Sequence, residues 1–290
     1  MQAGGEAGPL RLTGHFDGGS PILLSAPHSG TAVPATFHTQ LPHDLLRRIE
    51  DAHVGDLARP STALGIPLLE ATWARAVIDL NRAETEFDPA MIAGDPPWPA
   101  RATDRVRAGY GLFPRIVAAG KIIRKTPMEP AEMLQRVEHI HRPYHAALAQ
   151  GMATAHARHG VALLVDCHSM PRLDRRQHAD IVLGDRWGGS AAGVFTFFLQ
   201  RALARRGWKV ARNRPYAGGH IVERHGRPAA GMHGVQIEFD RSLYMNPETL
   251  EPNPGLERLG DDLRAVLGEL LRALPDLRPA LGPVLPLAAE

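Results

Sequence analysis

Short apolar runs alternate with amphipathic stretches along the chain, which is the pattern of an α/β fold. Most of the runs have strand length and show little polar alternation. Such runs are typical of a parallel sheet that is covered on both faces. We predict strands at residues 22–26, 66–70, 75–80, 161–165, 181–184, 209–211 and 234–239.

Apolar residues recur every three to four positions in the segments between these strands, which indicates helices. We predict helices at residues 44–57, 130–158, 191–206 and 255–274. Pro143 predicts a kink in the second helix, because proline has no N–H to donate inside a helix. Residues 84–107 are rich in Pro, Gly and Asp and predict a long loop.

These elements predict one α/β domain over residues 1–290, with a mixed, largely parallel sheet flanked by helices. Enzymes of this class and length are often a single unit around one sheet. Residues 1–12 and 276–290 are predicted to be weakly ordered extensions of that domain.

Composition narrows the class of protein. The chain is 44% apolar and 22% charged, as in ordinary globular proteins. Its 33 basic and 31 acidic residues are interspersed, so no basic stripe suggests nucleic acid. No apolar run is long enough for a membrane span, and no signal peptide is evident. The single cysteine, Cys167, allows no intramolecular disulfide and favours a cytoplasmic protein.

Polar side chains follow several of the predicted strands. They are His28, Asp79 with Arg82, Asp166 with His168, and Glu238. In open α/β sheets, ligands bind outside the carboxyl ends of the strands, so we expect these groups to converge on one crevice. Two histidines and a carboxylate, with one position left to water, form the ligand set of many hydrolytic zinc centres.

Asp51, on the predicted helix 44–57, is the candidate carboxylate ligand, and His53 and Asp56 compete with it. The spacing has no short-motif specificity. His28 could equally be a loop histidine bonded to a backbone carbonyl. Asp166 is close enough to His168 in sequence to orient its ring as a hydrogen-bond partner that does not itself bind the metal.

Glu238 lies in a mostly apolar strand, where a buried carboxylate would suit general-base work. The alternative is that Gln236 and Glu238 both face solvent. Arg75 and Arg82 offer forks for a substrate carboxylate, or else form internal salt bridges with Asp79 or Glu70.

A nucleophilic mechanism is a weaker alternative to metal catalysis. Ser29 and Ser169 each follow a candidate histidine, but neither lies in a Gly-x-Ser-x-Gly motif. Cys167 ends a buried strand, where cysteine is usually an inert small apolar residue.

Many short motifs occur together in one order over residues 20 to 250, and in that order the chain resembles the N-formylglutamate amidohydrolases, also called N-formylglutamate deformylases. The motifs are Pro27-His28-Ser29-Gly30, Asp51-Ala52-His53, Arg75-x-x-x-Asp79-Leu80-Asn81-Arg82, Gly111-Leu112-Phe113-Pro114-Arg115, Pro143-Tyr144-His145, Asp166-Cys167-His168-Ser169-Met170, Ala179-Asp180-Ile181-Val182-Leu183-Gly184, Tyr216-Ala217-Gly218-Gly219, Gln236-Ile237-Glu238 and Leu243-Tyr244-Met245.

The resemblance implies a zinc-carboxypeptidase-like (phosphorylase/hydrolase-like) α/β fold with one Zn²⁺ per chain. It implies hydrolysis of N-formyl-L-glutamate to formate and L-glutamate, a late step in histidine breakdown. The residues carried over are His28, Asp51 and His168 as metal ligands, Glu238 and Arg75 as catalytic groups, and Asn81, Arg82, Arg224 and His225 as substrate-binding groups.

Two departures from the family pattern, Ala52 for an aromatic residue and His220 after Gly-Gly, leave the acyl group open. The alternatives are a hydrolase of another small N-acyl or N-carbamoyl amino acid, and a non-catalytic dicarboxylate-binding protein. The expected partner in each case is a small acidic molecule, without nucleic acid or membrane. The oligomeric state is open.

Overall fold

The computed structural model describes residues 8–117, 120–173 and 179–277. A seven-stranded sheet runs in the order β1-β3-β2-β4-β7-β5-β6. Its strands are β1 (Leu10–Thr13), β2 (Ile22–Ala26), β3 (Leu68–Ala71), β4 (Ala162–Met170), β5 (Ile181–Gly184), β6 (Val210–Arg212) and β7 (Met232–Asp240).

Parallel pairing dominates the middle of the sheet. Strand β4 pairs in parallel with β2 on one side and with β7 on the other. Strand β5 is parallel to β6 but antiparallel to β7. Every residue of β2, β4 and β7 is buried, as their apolar sequences predict. The prediction of an α/β fold with a mixed, largely parallel sheet is confirmed.

The described helices are mostly short, with two long ones. The α-helices are α1 (His43–Leu46), α2 (Val54–Ala58), α3 (Asp104–Arg107), α4 (Pro130–Arg136), α5 (Arg142–His159), α6 (Gly193–Ala204), α7 (His220–His225) and α8 (Gly255–Leu277). Short 3₁₀ helices cover Arg47–Ile49, Arg59–Leu64, Pro89–Met91, Arg186–Gly188, Pro228–Ala230 and Arg241–Leu243. A π-helical segment, Val137–His141, joins α4 to α5.

The chain packs as two compact units. Among the described residues, the first unit comprises residues 8–11, Pro27–Glu50 and Glu70–Ala147. The second comprises Leu12–Ala26, Asp51–Leu69 and the described part of residues 148–277. The main core of the second unit includes the apolar stripe of α8 against the sheet. That stripe recurs every three to four residues, at Leu259, Leu263, Val266, Leu267, Leu270 and Leu274.

The predicted helix 44–57 is wrong as one element. It divides into α1, a 3₁₀ turn and α2, and Asp51 lies in the irregular stretch before α2. The break has a local cause: Glu50 is extended and His53 has a φ of 62°, so neither continues a right-handed helix. Apolar spacing alone did not reveal these two backbone conformations.

Two strand predictions also need correction. Residues 75–80 form no strand but a turn in which the Val77 N–H bonds to the Ala74 carbonyl. Burial explains the apolar run, since Ala76, Val77 and Ile78 are packed away from solvent without joining the sheet. Strand β4 in turn continues to Met170, so His168 lies inside it rather than after it.

The remaining predicted helices and strands are confirmed with small shifts of their ends, while α3 and the 3₁₀ helix Pro89–Met91 lie within the predicted loop 84–107. The long helix predicted over 130–158 is interrupted by the π segment just before Pro143, where the expected kink falls. Strand β1 (Leu10–Thr13) overlaps the predicted N-terminal extension 1–12, and residues 1–7 and 278–290 lie outside the described residues. Among the helices of the described chain, none has the length and apolar character of a membrane span.

Candidate active site

Strands β4 and β7 place polar side chains of the predicted site side by side in the second unit. In their parallel register His168 pairs with Glu238, and Asp166 pairs with Gln236. Because side chains alternate along a strand, positions two apart share a face of the sheet. One face therefore presents a histidine, a glutamate, an aspartate and a glutamine, all of them buried.

The imidazole of His168 lies between two carboxylates. Its Nε2 is 2.8 Å from Oδ2 of Asp166, and its Nδ1 is 3.0 Å from Oδ2 of Asp51. Burial by itself disfavours the charged ring, but the charge of Asp166 and the hydrogen bonds to both aspartates outweigh it. They raise the pKa of His168 well above its ordinary range. The expected contact between Asp166 and this ring is confirmed.

Asp51 is held by two further groups. Its Oδ1 accepts a hydrogen bond from Oγ of Ser169 at 2.9 Å and one from Nη2 of Arg241 at 3.1 Å. Arg241 also donates through Nε to Ser169 at 3.0 Å. These contacts of Ser169 and Arg241 with Asp51 were not predicted from the sequence. Arg241 follows β7 directly, at a strand end, which was the one available signal.

The two competitors of Asp51 make other contacts. His53 has its Nε2 at 2.8 Å from the Leu250 carbonyl and its Nδ1 at 3.3 Å from Asp56. Asp56 is exposed and pairs with Arg59 at 2.5 Å. Of the three candidates Asp51, His53 and Asp56, it is therefore Asp51 that contacts His168.

Glu238 is buried rather than solvent-facing, so the exposed alternative for this strand is wrong. Its side chain is 7% exposed, and Oε1 accepts a hydrogen bond from Nε2 of Gln236 at 2.7 Å. Gln236 in turn accepts the Gly219 N–H at 2.7 Å. The Gln236 amide therefore fixes one oxygen of the Glu238 carboxylate.

His28 lies in the first unit and has an arrangement like that of His168. Its Nε2 is 2.7 Å from Oδ1 of Asp79. The other oxygen of Asp79 accepts two bonds from Arg75, at 2.9 Å from Nε and 2.8 Å from Nη2. Burial opposes the carboxylate charge, yet Arg75, Arg82 and His28 hold the pKa of Asp79 well below its usual range. The internal salt bridge considered for Arg75 is thus confirmed, with Asp79 as the partner.

The local backbone of the Pro27–Gly30 motif requires its glycine. A Cβ at Gly30 would lie 2.4 Å from the Trp73 carbonyl and 2.6 Å from the carbonyl carbon of Thr72. The neighbouring Ala32 donates its N–H to the Thr72 carbonyl at 3.0 Å. The His28 loop is therefore pressed against the segment that leads to Arg75 and Asp79, which is why a side chain cannot replace the glycine hydrogen.

Asn81 and Arg82 follow Asp79 and are both buried. The Asn81 N–H bonds to Oδ1 of Asp79 at 2.9 Å, and Arg82 donates through Nε to the Tyr110 carbonyl at 2.8 Å. Burial lowers the pKa of Arg82 to about 10, so its guanidinium is still a cation at neutral pH.

The last two predicted substrate-binding residues lie on α7 in the second unit. Arg224 is exposed and His225 is buried. The structure gives no support to Ser169 or Cys167 as a nucleophile. Ser169 is hydrogen-bonded to Asp51 and Arg241, and burial raises the pKa of the Cys167 thiol far above neutrality.

The comparisons with known proteins agree with each other. The family model for N-formylglutamate amidohydrolase matches residues 20–245. An N-formylglutamate deformylase of Pseudomonas putida is 32% identical over 91% of this chain and 96% of its own length. One of Pseudomonas aeruginosa is 29% identical over 88% of this chain and 92% of its length.

Solved structures extend the likeness to the fold. The crystal structure of N-formylglutamate amidohydrolase from Ralstonia eutropha JMP134 superposes with a TM-score of 0.87 at 35% identity, over 94% of this chain and 100% of that one. The structure of gene product Atu2144 from Agrobacterium tumefaciens reaches a TM-score of 0.70 at 18% identity, over 93% and 96%, and shares the fold.

Two neighbouring parallel strands of an α/β sheet carry the buried His168, Asp166 and Glu238, and with these relatives they define a hydrolase of the amidohydrolase class. More narrowly, the chain belongs to the N-formylglutamate amidohydrolase family.

Proposed function

We propose that this protein is a zinc-dependent amidohydrolase that cleaves N-formyl-L-glutamate to formate and L-glutamate. The observation that carries the proposal is His168, held between Asp51 and Asp166 beside the buried Glu238, in a chain of this family. The names of the Pseudomonas and Ralstonia relatives support the substrate. We place the reaction in the cytoplasm, in histidine breakdown.

The residues that would hold the ion are His28, Asp51 and His168. The donor set suits zinc, which takes imidazole nitrogen and carboxylate oxygen and in catalytic sites keeps one position for water. Asp79 and Asp166 support the choice of histidines, because metal-binding imidazoles usually donate their second N–H to a carboxylate. Bound zinc would polarise the formyl carbonyl and make the attacking water more acidic.

Glu238 would take the proton of the water that attacks the formyl carbon. It is buried, and in the parallel register of β4 and β7 it lies opposite His168, a proposed metal ligand, which is where a general base would act. The Gln236 amide holds one oxygen in place, so the carboxylate keeps a fixed orientation. As the C–N bond breaks, the protonated Glu238 would return the proton to the departing amine of glutamate.

Positively charged and amide side chains of the first unit would recognise the substrate carboxylates. Arg82 and Asn81 are the main groups, since guanidinium and amide donors suit a carboxylate. Arg224 and His225 are proposed as further contacts. Arg75 is proposed to stabilise the developing oxyanion, and its ion pair with Asp79 gives it a second task in holding that aspartate behind His28.

Formate release from N-formyl-L-glutamate tests the proposal directly. The purified protein is assayed as isolated, after chelation, and after zinc is added back, with N-acetyl- and N-carbamoyl-L-glutamate in parallel. We expect formate release that is lost with the metal and restored with zinc. No release from a zinc-loaded, folded protein would point to another N-acyl substrate, and absence of stoichiometric zinc would point to a dicarboxylate-binding protein.

A further inference from the structure

The segment Asp79–Arg82 carries two of the proposed substrate-binding residues but has no regular secondary structure. Its buried carbonyl groups therefore cannot be satisfied by a strand ladder or a helix, and other donors must reach them. The position of the Asn81 and Arg82 side chains depends on whatever holds this backbone.

Two buried histidines supply those donors. Nε2 of His145 is 3.0 Å from the Leu80 carbonyl oxygen, and Nε2 of His141 is 2.8 Å from the Arg82 carbonyl oxygen. Their exposed fractions are 1% and 0%. A spacing of four residues puts both on one face of the helix, where their ring centres lie 4.4 Å apart. The two contacts grip the segment on either side of Asn81.

The bonding partners define which ring nitrogen carries a hydrogen. A carbonyl oxygen only accepts, so each Nε2 must carry a hydrogen. The function of both histidines at this place is therefore that of a rigid N–H donor.

The helix backbone also departs from the usual form here. His141 is the last residue of the π-helical segment Val137–His141, and His145 follows in the first turn of α5. Single π turns are rare and are often found at functional sites. Upstream in the same helix, Arg136 donates to the Val77 carbonyl at 2.9 Å, so one helix bonds to the Val77–Arg82 backbone at three carbonyls.

We propose that His141 and His145 are positioning residues that set the place of Asn81 and Arg82 and thereby the affinity for the substrate carboxylate. This proposal rests on the proposed function of Asn81 and Arg82. It concerns residues other than the proposed metal ligands, since the two rings bond to the Leu80 and Arg82 carbonyls. Loss of either donor is expected to weaken substrate binding more than it slows the chemical step.

The test compares donors of different reach at each position. His141→Gln and His145→Gln keep an amide N–H at about the distance of Nε2. His141→Asn and His145→Asn have the same amide one bond shorter, and His141→Leu and His145→Leu remove the donor. His139→Leu is the matched control, because His139 is exposed on the same helix and its Nδ1 bonds within its own turn, at the Gln135 carbonyl.

We expect the Asn and Leu variants to raise KM about 10- to 100-fold, the effect of losing a buried hydrogen bond. The value of kcat should change much less, zinc content should stay at wild type, and the Gln variants should lie near wild type. If Leu variants fail to fold, the comparison of Gln with Asn decides. Equal KM values for Gln and Asn variants and wild type would overturn the proposal, as would a parallel loss in kcat with KM unchanged.

Binding of glutarate, a dicarboxylate without a scissile bond, is measured on the same variants by calorimetry. If the wild type releases no formate, weaker glutarate binding by the Asn variants would still support the positioning role, while the proposed reaction fails. If the wild type is active, unchanged glutarate binding by the Asn variants would reject the positioning role alone.

Discussion

Nε2 of His168 lies 2.8 Å from the Asp166 carboxylate, and both side chains project from the same face of β4. In the first unit, Nε2 of His28 lies 2.7 Å from Asp79. In each ring Nε2 faces one of these aspartates, and in His168 Nδ1 faces the proposed metal ligand Asp51. In the proposed zinc centre, Asp79 and Asp166 would orient the two rings and make them stronger electron donors.

Asp166→Asn is expected to weaken zinc binding about 10- to 100-fold, the usual effect of removing such a partner. The amide can still contact the ring but lacks the charge that favours the donating imidazole. Competition against a chromophoric chelator measures the affinity. Asp56→Asn is the control, because Asp56 is exposed and paired with Arg59. Unchanged affinity of the Asp166 variant would remove the aspartate from the proposed metal centre.

Arg241→Met is expected to lower the free energy of unfolding of the metal-free protein by about 3 kcal/mol, because Asp51 would remain a buried charge with one cationic partner removed. Zinc should restore part of that loss, since the cation supplies the missing positive charge. Thermal unfolding of both proteins, with and without zinc, gives the comparison. An equal stabilisation by zinc in variant and wild type would contradict the role assigned to Arg241.

Glu238→Gln is expected to reduce kcat about 10²- to 10⁴-fold, the range of a lost general base. The amide has nearly the shape of the carboxylate and can still bond to Gln236, so folding and zinc content should be preserved. Formate release and metal analysis are measured on the same preparation. The exposed Glu251 provides the matched control Glu251→Gln. A near wild-type rate in the Glu238 variant would exclude it as the base.

The sequence predicted the sheet well because its central strands are apolar throughout and need no tertiary information to be recognised. Strands β2, β4 and β7 fall where expected, with β4 longer. Residues 75–80 had the same apolar appearance yet form a turn, because burial outside a sheet and burial inside one select similar residues. The αL conformation of His53 was likewise invisible in the apolar spacing.

For the candidate site, sequence analysis identified residues that belong to recognisable motifs, but it missed contacts between segments that are distant in the chain. The pairing of His168 with Asp166 follows from their spacing in one strand, since positions two apart share a face. Ser169 with Arg241, and the two histidines that grip Leu80 and Arg82, join segments more than 50 positions apart. Such contacts depend on the packing of whole elements, which a single sequence does not specify.

A last prediction concerns the acid stability of the second unit and the buried His233 of β7. Its Nδ1 accepts the Ala192 N–H at 3.3 Å, and its ring packs against Phe195 at 4.6 Å between centres. Burial and then the nearby His156 lower its pKa to about 4, from an ordinary value of 6.5. Because the folded-state pKa is depressed, the unfolded chain binds the proton first as pH falls below 6.5. The stability contributed by neutral His233 is therefore complete above pH 6.5 and declines towards pH 4.

Between pH 7 and pH 5 this linkage amounts to about 2 kcal/mol, at about 1.4 kcal/mol for each pH unit below the unfolded pKa. His233→Gln retains an acceptor for Ala192 but cannot titrate in this range. From pH 7 to pH 5 its free energy of unfolding should therefore fall by about 2 kcal/mol less than that of the wild type. Urea unfolding of both proteins at the two pH values measures the difference, and His139→Gln serves as an exposed control. If wild type and the His233 variant lost the same stability, the ring would already be protonated in the folded protein at pH 5, and its burial would not be excluding the charge.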